Sequence, residues 1–94
     1  MKVSCVKCGQ LLTDCSAGIS VNRRGDEVIY SYFLCAACDH WTVEYARDHF
    51  ATGEDQTSTY GLSRADGDAA VAEIATCDSP HNKHCQCRVH DRLS

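Results

Sequence analysis

The 94-residue chain predicts a small metal-stabilised α+β fold: a three-stranded antiparallel ribbon, then a short helix and a Cys/His-rich tail. Three observations carry that expectation. Eight cysteines stand in a chain too short to bury a large core, so cross-links or metal must replace the missing apolar contacts. Two cysteine pairs have Cys-x2-Cys spacing, and the residues between them are β-branched and aromatic, as strands are. Farther on, an alanine-rich stretch repeats apolar residues at helical spacing.

The elements follow in chain order. Cys5, Val6, Lys7, Cys8 and Gly9 form a first knuckle. Ile19 and Val21 mark a strand over about 17–23, and Val28, Ile29, Tyr30, Tyr32, Phe33 and Leu34 mark its antiparallel partner over 28–35. Asn22 to Glu27 carries the glycine and charges of a hairpin turn. A second knuckle, Cys35 and Cys38, leads into a third strand from Trp41 to Tyr45, where Trp41, Val43 and Tyr45 share a face. Residues 1–50 therefore read as one ribbon unit. The polar stretch 51–62 has no apolar period and reads as a connecting loop. Residues 63–94 read as a helix plus a second metal cluster packed on the ribbon. Ser63 or Asp66 caps that helix, Val71 and Ile74 lie on one face of it, and Gly67 weakens its start. Asp78 to Asn82 reads as a turn.

The cysteines carry the chemistry. A Cys-x2-Cys turn points two sulfurs at one centre while backbone N–H groups stabilise the thiolates, and a hairpin brings a second pair opposite the first. Cys5, Cys8, Cys35 and Cys38 are thus the expected ligands of one tetrahedral Zn2+, the arrangement called a zinc ribbon. Iron in a rubredoxin-like site and a disulfide framework are the competing readings. The tail offers a second set, Cys77, Cys85, Cys87 and His90, with His84 or His81 as substitutes for His90. Two zinc ions are expected. Cys15 is left over and reads as a small buried hydrophobe. His40 reads as a hydrogen-bonding neighbour of the knuckle, His49 as a surface residue, and Trp41 as a cover for the first site.

A net charge of −4, deepened by metal-bound thiolates, argues against a non-specific phosphate clamp. Neither a run of about 18 apolar residues nor a secretory leader pattern is visible, so the expected setting is cytoplasmic and not membranous. Thiols there stay reduced and available to metal. No nucleophile–base pair, phosphate loop or open metal site stands out, and no enzymatic activity is expected.

From Cys5 to Tyr45 the chain resembles the zinc ribbon of transcript-cleavage elongation factors and related small RNA polymerase subunits. Arg23, Arg24, Gly25, Asp26 and Glu27, followed by Val28 to Leu34 and Cys35, reproduce that family's order from hairpin tip to knuckle. The resemblance implies tip carboxylates at Asp26 and Glu27 that hold a catalytic Mg2+ inside a polymerase, with Arg23 as the phosphate-directed cation. The second half of the chain has no such counterpart. The expected function is a protein-interaction adaptor associated with transcription, with RNA polymerase as a candidate partner. Tyr30 and Tyr32 are the aromatics expected to be exposed on the hairpin for that role. A ribbon binding nucleic acid through Arg23 and Arg24, and a redox or metal-handling protein using the tail cluster, are the alternatives.

Overall fold

The computed structural model describes residues 2–93. Two short strands, β1 (Val3–Ser4) and β2 (Leu11–Leu12), pair around the first knuckle. They precede a four-stranded antiparallel meander of β3 (Cys15–Arg23), β4 (Asp26–Cys35), β5 (His40–Asp48) and β6 (Asp55–Ser63). Helix α1 (Arg64–Ala75) and the short α2 (Arg88–Leu93) complete the chain.

The expected strands are present and longer than expected: β3 begins at Cys15, β4 begins at Asp26, and β5 runs on to Asp48. Between β3 and β4 the turn is only Arg24 and Gly25, at φ 55° and 90°, and Arg23 pairs with Asp26. Two successive positive-φ residues give the primed turn whose twist suits two paired strands. The stretch 51–62 is not the expected loop, because most of it belongs to β6, which pairs with β5 from Asp55 to Ser63. Its Thr and Tyr residues favour strand, but nearly all of the stretch is exposed, so no apolar alternation announced it. The sheet therefore has four strands where three were expected.

Side chains alternate across the sheet. Ile19, Val21, Val28, Tyr30, Tyr32, Trp41 and Val43 share one face and pack against Ile74 of α1 and Val89 of α2. Phe33 and Cys35 point to the other face and pack with Val3, Cys5 and Leu12 of the knuckle unit. Two small cores thus lie on opposite faces of one sheet. Tyr30 and Tyr32, expected to be exposed, are buried in the first core, Tyr30 edge-on to Tyr45 and Tyr32 edge-on to Trp41. The C-terminal segment covers the hairpin face that the sequence left open.

Ser63 caps α1 by accepting a hydrogen bond from the Asp66 backbone N–H at 3.1 Å, as expected. Gly67 has a more specific role than weakening a helix start. A Cβ added there would lie 2.0 Å from Cδ1 of Trp41, so the indole ring rests directly on the helix backbone. Trp41 Nε1–H donates to Asp68 Oδ1 at 2.9 Å, and Trp41 thereby packs under α1 instead of covering the first cysteine set.

Candidate metal centres

The first knuckle is built from a turn that hydrogen-bonds to itself. Cys5 N–H donates to Gln10 O at 2.8 Å and Gly9 N–H to Cys5 O at 2.9 Å. Gly9, just after the second cysteine, has φ 77°, and Asp39, just after the second cysteine of the other knuckle, has φ 53°. Both turns reverse in the left-handed region, where glycine is unhindered and aspartate is tolerated better than most residues. Val6 N–H donates to the buried Thr42 Oγ1 at 3.1 Å and so fixes the first knuckle to the sheet. The second knuckle is the β4–β5 connection, with Cys35 ending β4. Arg64 ties it to α1 through ion pairs with Asp39 and Asp68.

These turns bring Cys5, Cys8, Cys35 and Cys38 together, with all four sulfurs within 4.8 Å of one another. Cys5 and Cys38 are 4.0 Å apart, and Cys8 and Cys35 3.8 Å apart. Sulfurs at the corners of a tetrahedron with ~2.3 Å metal–sulfur bonds are about 3.8 Å apart. The set fits a single four-coordinate ion. Its electrostatics point the same way. The backbone N–H of Cys8, aided by that of Lys7, lowers the Cys5 thiol to about 6, whereas hydrogen bonding to Cys8 and burial push Cys38 up to about 12. One thiolate forms readily, and a second beside it needs a cation.

The second set is assembled at the C-terminal end of α1. Thr76 caps that helix, and the following Cys77 donates its N–H to Ile74 O at 3.0 Å. Cys85 follows a turn closed by its own N–H on Asn82 O at 3.0 Å, and His90 sits on α2, three residues after Cys87. Cys77, Cys85, Cys87 and His90 also converge within 4.8 Å. The Cys77 sulfur is 3.8 Å from that of Cys85 and 3.5 Å from that of Cys87, and His90 Nδ1 is 3.0 Å from the Cys87 sulfur. The backbone N–H of His90, followed by its ring, lowers the Cys87 thiol to about 6, and burial raises Cys77 to about 11. His90 is buried, and its Nε2 is the only buried side-chain polar atom without a hydrogen-bond partner among the described residues. Nδ1 is the ring nitrogen turned to the sulfurs, and a metal held there would require the His90 proton to sit on Nε2. His81 and His84 lie outside the set. The α2 turn that brings His90 in was not anticipated, although the Cys87-x2-His90 spacing was there to suggest it.

Other expected site residues are placed differently. Cys15 is exposed rather than buried, because the β3–β4 register shifts between Cys15 and Ala17 and turns the thiol outward, where it donates to Ala17 O at 3.2 Å. His40 lies against Gly61, without the expected hydrogen bond to the knuckle among the described residues. His49 pairs with Asp26 and contacts Gln56. The hairpin-tip carboxylate of Asp26 is already engaged: one oxygen accepts from Phe50 N–H at 2.9 Å and the other from Arg47 Nε at 2.8 Å. Arg23 donates to Tyr30 Oη and to the Leu93 carbonyl, an internal clamp on the chain end. That geometry does not suit the metal-holding tip implied by the resemblance. Sequence reasoning also missed Gln10, Thr42 and Asp39, which shape or anchor the knuckles; only the glycine after Cys8 signalled such a role.

No family model, curated protein or solved structure matches this chain.

Proposed function

We propose that both centres hold Zn2+ and that the chain is a zinc-stabilised adaptor that binds another protein, in the transcription machinery if the ribbon resemblance extends to its setting. The convergence of two complete four-ligand sets is the observation that carries this reading. Thiolate and imidazole ligands suit zinc, and four protein ligands per ion leave no open position for a reacting water. Each ion then stabilises one of the two small cores, and function falls to the surface. On the sheet face left outside the helices, Glu27, Asp48 and Asp55 stand side by side across β4, β5 and β6. Like charges opposite one another destabilise a sheet, and such a row matches a basic partner surface better than a phosphate backbone. Of the cations proposed for nucleic acid, Arg23 is occupied within the chain.

Native mass spectrometry of protein purified without added metal tests the first half of the proposal. Two zinc ions are expected, with Cys35→Ser and Cys87→Ser each losing one; a disulfide-bonded, metal-free chain or bound iron would overturn it. Loss of only the tail ion under mild chelation would favour metal handling over the adaptor role. Affinity capture from lysate tests the second half, and recovery of no basic partner protein counts against it.

A further inference from the structure

The four-stranded sheet has two edges of different character. At β3, Ser20 N–H donates to Pro80 O at 2.8 Å, so the C-terminal segment occupies part of that edge. At β6 the sheet simply stops: Asp55–Ser63 pairs with β5 on one side and with no other described strand. Eight of its nine residues are exposed. Apart from Asp55 at its start, it carries none of the usual protections of an open edge, since residues 56–63 contain no charge and no proline, and the pairing with β5 is free of bulges.

The hairpin fixes which backbone groups point outward. His49 N–H donates to Glu54 O at 2.8 Å, in the same register that pairs Asp48 with Asp55. In an antiparallel ladder the hydrogen-bonding direction alternates along the strand. Gln56, Ser58, Tyr60 and Leu62 therefore spend their backbone groups on β5, and Asp55, Thr57, Thr59, Gly61 and Ser63 present theirs outward.

We infer that this edge is a self-association site, at which β6 of one copy pairs antiparallel with β6 of a second copy about a two-fold axis at Thr59. That register brings all nine residues into the ladder, with Thr59 opposite its own counterpart, Thr57 opposite Gly61 and Asp55 opposite Ser63. Every one of those pairs has outward-facing backbone groups on both sides. The same register sets Glu54 of each copy opposite Arg64 of the other, where it would share a guanidinium that Asp39 and Asp68 of that chain already engage, while the middle of the interface is neutral. Tyr60, 40% exposed in the single chain, comes to lie beside Ser58 of the second copy on the helix-bearing face. The product is a continuous eight-stranded sheet with an isologous interface. This inference is separate from the adaptor reading and leaves the acidic face of each copy open.

The alternation supplies a discriminating test. Thr59→Pro removes an N–H that points to the second copy and none that β5 uses, which an edge strand tolerates. Sedimentation or light scattering of the metal-loaded wild type is expected to give twice the 10.3 kDa chain mass at high concentration, falling toward the single-chain value on dilution. Thr59→Pro is expected to give the single-chain mass throughout, with unchanged circular dichroism and metal content. Glu54→Arg, which sets like charges opposite each other, is expected to weaken association at least several-fold without loss of fold. A wild type that stays monomeric at its highest attainable concentration overturns the inference and leaves the edge to another chain's strand. A dimer that survives both substitutions in folded protein overturns it as well.

Discussion

Gly67 shows what one missing side chain does here. Its value is the space it yields to Trp41, whose ring would overlap any added Cβ. Alanine is worth about 1 kcal/mol over glycine in a helix interior, so an exposed site would gain from the exchange. At this site overpacking reverses the sign: forcing an extra carbon against a buried ring costs typically ~1–3 kcal/mol. Gly67→Ala is therefore expected to lower the urea midpoint of the metal-loaded protein, and a raised midpoint would show that α1 moves away from Trp41 at little cost. The sequence displayed Gly67 only as a weak point in a helix. Its reason lies in a strand residue 26 positions earlier, and no local pattern reveals such a contact. Cys15 taught the converse, since burial inferred from residue type was undone by a local shift in strand register.

Among elements, the β5–β6 turn depends on a carboxylate from another strand. Asp26 opens β4, yet it accepts from Phe50 N–H in that turn and from Arg47 near the end of β5. The Phe50 N–H, then the Arg47 guanidinium, hold Asp26 below its ordinary range. A carboxylate depressed in the folded state adds stability that is complete above its unfolded pKa and lost as pH falls through the folded value. Asp26→Asn should therefore lower the melting temperature most at neutral pH, and the gap from wild type should narrow as pH falls below the carboxylate range. Because acid also releases metal, the comparison is between the two proteins at each pH; a gap that does not narrow would show that the ionised form is not what stabilises the turn. Elements were legible where apolar residues alternate or recur, as in β3, β4, the start of β5 and α1. The exposed β6 lacked that signal because strand pairing, not burial, holds it in place, and α2 lacked it because six residues with only Val89 and His90 buried are too short to show a period.

At the scale of the molecule, two modest cores on opposite faces of one sheet are each tied to one cysteine set. Structural zinc contributes on the order of 10 kcal/mol in small metal-folded domains, comparable to the whole net stability of a typical fold. Full chelation at neutral pH is expected to unfold the chain, read as a red shift of the single tryptophan, Trp41, which is buried between sheet and helix. Unshifted emission from demonstrably metal-free protein would mean that the helix-side core stands without its ion. Both convergent sets were legible because cysteine spacing is a strong local signal, and His90 stood out among three tail histidines only as the one at knuckle distance from Cys87. The packing of the tail onto the sheet was expected in outline, but the cost to the hairpin aromatics, which it buries, was not.

The meander also has a temporal side. Every strand of the large sheet pairs with its neighbour in sequence, and all four ligands of the first set lie between residues 5 and 38. Contacts between sequence neighbours close small loops and form quickly. On the proposed zinc reading, during synthesis from the N-terminus the first ion can therefore be captured while β6, both helices and the tail cysteines are still to be made. A nascent chain so loaded would present a growing sheet whose hydrophobic face is still bare, and burial of that face waits for α1 and α2.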